Sequence, residues 1–283
     1  MNRRVRVGLS FPRLASGLLL ALLLAGFALV AFGVCLPARP LGDGWPPVAV
    51  LLLLAVAGTL AAEARHLPGQ NVALASTMIL LLAGLALAAG VRAGIPLVGP
   101  ITGPAGSADE VLHWLPWGAA FWLLGLLTSR GVARLILRPR RASFTYGFQV
   151  LGLTVFLFVL FNLASQPLAP ALGHSRPWQP GRAAAHWPGT PCIGLGAQAL
   201  AALVILTLVT PWLIDKRQTD SPAESYPLMI WTLANLLFTV AALAHQAWGA
   251  AALAALGAAL VTPLGLRGAA SAHGRGTRGQ AAP

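Results

Sequence analysis

Charge is what this chain has least of. Only 9% of its 283 residues are charged, against roughly a quarter in soluble domains, so a water-facing surface cannot be built from them. A soluble enzyme is excluded on that ground. Cysteine is scarce too. Cys35 and Cys192 are too few for a disulfide framework, and no CxxC or Cys/His spacing points to zinc. There is neither a G-x-S-x-G nucleophile elbow nor a G-x-x-x-x-G-K-[ST] phosphate loop. The six histidines are scattered rather than clustered, so neither a metal nor another cofactor is expected.

What the chain has in quantity is long apolar runs. A helix rises about 1.5 Å per residue, so about 20 apolar residues cross a hydrocarbon core of roughly 30 Å. Stretches 14–36, 47–64, 71–91, 111–129, 144–166, 193–214, 227–246 and 248–266 meet that length. The expected fold class is all-α: a polytopic integral membrane bundle of about eight transmembrane helices. Seven is the alternative, because only Ala247 separates the last two runs, which fit either one long tilted helix or a tight hairpin around Trp248 and Gly249. On this reading residues 1–13 form a basic cytoplasmic leader and 14–266 the membrane domain. Residues 267–283, rich in Gly, Ala and Arg without apolar periodicity, form a disordered cytoplasmic tail.

The net charge of +12 arises from 18 Arg and one Lys against seven acids. Nearly all the arginines flank apolar runs: Arg3, Arg4, Arg6 and Arg13 precede the first, and Arg130, Arg134, Arg138, Arg140 and Arg141 follow the fourth. Such placement marks topology, not a nucleic-acid surface. With eight spans and an internal N-terminus, 15 of the 19 basic residues fall inside; with seven the division is 12 against 7. The positive-inside rule therefore favours eight spans in an inner membrane, with the N-terminus in the cytoplasm.

That topology sends Glu110, His113, Asn162, Gln166, His174, His186 and His245, with Trp178 and Trp187, toward the outer face, where a site is expected. Each has a plainer role. Trp114, Trp117, Trp212 and Trp248 near helix ends read as interfacial belt residues. Asp109 and Glu110 suit a helix N-terminus, and Glu63 reads as an interfacial carboxylate beside Arg65. Asn162 stands apart because it lies inside an apolar run, where polar groups are costly and turn toward other helices. With Gln166 four residues on, it shares one helical face, as packing glue or as a ligand-facing pair.

Several stretches, in order, resemble one family. They include Gly90 to Pro96, Leu115-Pro116-Trp117, Ser129 to Pro139, Tyr146-Gly147-Phe148 and Leu160 to Pro167. Trp178-Gln179-Pro180, Trp187-Pro188-Gly189, Tyr226-Pro227-Leu228, Trp231 and Asn235 to Phe238 continue the series. Together, over about residues 80–250, they are similar to membrane carotenoid-biosynthesis proteins that include carotenoid and bisanhydrobacterioruberin hydratases. The resemblance implies an all-helical membrane protein acting on a carotenoid or other isoprenoid. The family's reaction protonates a terminal alkene and adds water to the cation, which needs a general acid beside an apolar slot. Where the family pattern carries two acids in the fifth span, this chain has the amides Asn162 and Gln166, and Leu87 stands where a glutamate is expected. The resemblance thus implies either hydration with a relocated acid, Glu110 or His186, or non-catalytic binding of the isoprenoid. In both cases Asn162, Gln166, Trp178 and Trp187 are expected to line one apolar outer pocket. A small transporter ranks behind both, since no carboxylate stands mid-span. The expected partners are the isoprenoid and membrane lipid, with no nucleic acid.

Overall fold

The structure, a computed structural model, describes residues 21–31, 33, 45–93, 97, 108–141, 143–168, 186–187, 190–214 and 225–270. In chain order the helices are α1 (Ala21–Ala31), α2 (Trp45–Glu63), α3 (Gly69–Ala93), α4 (Ala108–Leu137) and α5 (Tyr146–Ser165). A pair of two-residue strands, β1 (His186–Trp187) and β2 (Thr190–Pro191), then leads into α6 (Cys192–Leu213), α7 (Tyr226–Ala244) and α8 (Trp248–Ala270). The strands pair antiparallel, His186 opposite Pro191 and Trp187 opposite Thr190.

Six of these helices, α3 to α8, are long and apolar enough to cross a membrane, and the chain is a multi-pass helical membrane bundle. The outward faces agree with that. On α3 Leu74, Leu81 and Leu85 are exposed at helical spacing, as are Leu200, Val204 and Leu208 on α6 and Leu256, Leu260 and Leu264 on α8. Leucine stripes of this kind are unfavourable in water and neutral in hydrocarbon. Hydroxyl groups inside the helices are satisfied locally: Thr59, Ser76, Thr128 and Thr154 each donate to the carbonyl four residues back. Between helices, Thr232 of α7 meets Thr262 of α8 at 2.9 Å.

The centre of the bundle is α4, which packs against α2, α3, α5, α7 and α8. Its glycines admit the neighbours. A Cβ at Gly125 would stand 3.1 Å from the Phe158 ring, and one at Gly131 would stand 2.5 Å from Pro227. Small residues permit such close approach in membrane bundles, where packing rather than water drives association.

The structure decides between one long final helix and a hairpin. Gln246 has φ 56°, in the left-handed region, and the chain turns there. The Ala247 N–H donates to the Ala242 carbonyl and the Gln246 N–H to that of Leu243. This is the Schellman pattern that ends helices, with Gln in the position glycine usually takes. The break thus precedes Trp248, and α8 runs to Ala270, four residues into what the sequence assigns to the tail.

The end of α4 also departs from expectation. The apolar run was expected to close at residue 129 with five arginines in the following loop. The helix instead continues to Leu137, so Arg130 and Arg134 are helical and Arg130 is buried. Val132, Ala133 and Leu135 keep the helix apolar between them, and neighbouring helices supply partners for the guanidinium groups.

Candidate functional site

An apolar cleft lies among α1, α2, α4, α5 and α7. Every lining side chain is Leu, Ile, Val, Ala or Phe. Ala55 and Ala234 leave room where larger residues would close it. Phe121, Phe161 and Phe238, from three different helices, meet there with ring centroids 5.1 to 6.4 Å apart. Their edge-on and tilted geometry is the favourable one for aromatic groups, so the rings hold one another in place. A space lined this way excludes water and admits hydrocarbon.

Asn162 follows Phe161 on α5 and is fully buried, facing protein rather than lipid. Its Nδ2 donates to the Phe158 carbonyl at 3.3 Å, and its Oδ1 is buried without a hydrogen-bond partner among the described residues. Ser165 Oγ and Gln166 Nε2 both donate to the Asn162 carbonyl, at 2.7 and 3.4 Å. Gln166 thus meets Asn162 through the backbone carbonyl and not through the amide side chain. Neither residue lines the cleft, whose α5 wall is Phe161, with Leu168 just beyond the helix.

Of the other expected site residues, Glu110 falls in the first turn of α4 and His186 and Trp187 form β1. Their side chains, like Trp178 as a whole, lie outside the described residues. Trp248 is exposed at the start of α8 and Trp212 is half-buried near the end of α6, as belt residues are, whereas Trp117 is half-buried well inside α4 and the Trp114 side chain lies outside the described residues.

Sequence reading missed a buried ionic cluster. Glu63, the last residue of α2, is 5% exposed. Its Oε2 lies 3.9 Å from Arg134 Nη1. Arg130, one turn earlier on α4, donates from Nη2 to the Leu213 carbonyl at the end of α6, at 2.7 Å. Tyr226, which opens α7, presses its ring on Gly58, and its hydroxyl has no hydrogen-bond partner among the described residues. One signal was available: Arg130 and Arg134 stand four apart with apolar residues on both sides, which is a helical face and not a loop.

Comparison with protein-family models, with curated proteins and with solved structures returns no match to this chain.

Proposed function

We propose that this chain is an inner-membrane protein of eight spans that binds the apolar end of a carotenoid or other isoprenoid in the cleft bounded by Phe121, Phe161 and Phe238. The entirely apolar lining of that cleft carries the reading. Aliphatic and aromatic walls of this kind suit an apolar group. With α1 and α2 added to the six long helices, the count becomes eight. The excess of basic residues at one set of loops then supports a cytoplasmic N-terminus.

Binding suits the cleft better than hydration does, because no described lining residue can give a proton to an alkene. The test is expression in a bacterium that accumulates lycopene, then purification in mild detergent with mass spectrometry of the retained pigment. Wild-type protein is expected to hold pigment, and Ala234→Trp, which fills the cleft, to lose it. Equal retention by both would overturn the reading, as would none by either. A product heavier by one water would make the occupant a substrate, with Glu110 and His186 the first acids to replace. The three rings would then have a cation to stabilise.

A further inference from the structure

The cleft leaves unused the ionic cluster toward the other end of α2, α4 and α7. Among the described residues, two positive charges, Arg130 and Arg134, stand there against one carboxylate, Glu63, which pairs with Arg134. Glu63 and Tyr146 also lie within electrostatic reach of Arg130. Arg130 is 7% exposed and spends Nη2 on the Leu213 carbonyl, while its Nη1 is buried without a hydrogen-bond partner among the described residues. A buried guanidinium with an open N–H is costly. Water would satisfy the N–H and leave the charge, whereas an oxyanion answers both. The planar fork of arginine suits phosphate oxygens in particular.

The setting points to the source of that phosphate. Arg65, Arg140 and Arg141 lie exposed at the same end, just past α2 and α4. Basic clusters at a membrane surface collect anionic lipids. We propose that Arg130 and Arg134 bind the phosphate of an anionic phospholipid at this end of the bundle, against the competing negative charge of Glu63. The proposal is independent of what occupies the cleft.

The full chain, purified in uncharged detergent, would be titrated with phosphatidylglycerol, phosphatidylcholine or inorganic phosphate while thermal unfolding is followed. Phosphatidylglycerol is expected to raise Tm saturably and phosphatidylcholine to leave it unchanged. Arg134 is partly exposed, so Arg134→Gln should fold and should weaken the phosphatidylglycerol midpoint about tenfold, as loss of one charged hydrogen bond does. Arg130→Lys keeps the charge but not the fork and should weaken it too. Glu63→Gln, which removes the nearby negative charge, should tighten it, an effect that a purely structural role does not produce. Unchanged midpoints in Arg134→Gln and Glu63→Gln, or an equal response to phosphatidylcholine, would overturn the proposal. A rise with inorganic phosphate that disappears in Arg134→Gln would support the oxyanion site and overturn the lipid as its source.

Discussion

Arg130 Nη2 donates to the Leu213 carbonyl across 2.7 Å, joining two helices whose contributing residues are 83 apart in the chain. The last carbonyls of a helix have no partner in a following turn, and in a bilayer no water replaces one. Leu213 ends α6, so the guanidinium takes the place of that missing turn and sets its positive charge at the negative end of the helix. Arg130→Met keeps most of the volume but strands the carbonyl. A loss of about 2 kcal/mol is expected, read from unfolding in mixed micelles by added anionic detergent. Wild-type stability in Arg130→Met would show that α6 is held by packing alone.

The turn between α7 and α8 puts a non-glycine residue in the left-handed region, Gln246 at φ 56°. For an L-residue this conformation costs roughly 1–2 kcal/mol, and glycine adopts it freely. Gln246 is exposed, so its side chain gives little in return. Gln246→Gly is expected to stabilise the protein by about 1 kcal/mol. Gln246→Val, branched at Cβ, should act in the opposite direction. A helix running unbroken through the turn would instead make Gln246→Gly destabilising, so the sign of the change in unfolding free energy decides.

Gly268, near the end of α8, lies directly on the backbone of Leu135 in α4, and an added Cβ would collide with that carbonyl oxygen. A carbonyl within a helix cannot swing aside as a side chain can. Gly268→Ala should therefore cost about 1–3 kcal/mol or more by forcing the helices apart. Gly147→Ala is the control, since nothing lies within 4 Å of that position; it should leave Tm unchanged or slightly higher. Comparable Tm losses in both variants would contradict the close contact of α4 with α8.

These positions also show what sequence could and could not convey. The apolar runs were legible because a membrane demands about 20 such residues in sequence, a local property. The length of α4 was not. Arginine after an apolar run ordinarily marks the interface, and the carbonyl of Leu213 and the carboxylate of Glu63, both remote in sequence, help to make Arg130 and Arg134 tolerable inside the bundle. The spacing of Asn162 and Gln166 was legible as one helical face. The cleft was not, because its lining runs from Leu23 to Phe238 and no short pattern joins them. The hairpin at Gln246 was ambiguous since neither glycine nor proline stands at the left-handed position itself.

Asn162 offers the sharpest separation of a packing role from a binding one. It is fully buried, and its Oδ1 has no hydrogen-bond partner among the described residues. An unsatisfied acceptor costs about 1–3 kcal/mol, whereas an apolar residue of the same shape carries no such cost. Leucine is close in volume and, on an apolar helix, compatible with the packing around Phe158 and Phe161. Asn162→Leu is therefore expected to preserve or raise Tm. Gln166 would keep its acceptor, since that bond is made to the backbone carbonyl of residue 162. Because Asn162 does not line the cleft, pigment retention should also be unchanged. Raised Tm together with lost retention would assign the free Oδ1 to a ligand and extend the site from the Phe161 ring to the amide beside it. Lowered Tm with retention intact would mean that Oδ1 has a partner, such as a buried water, that leucine displaces.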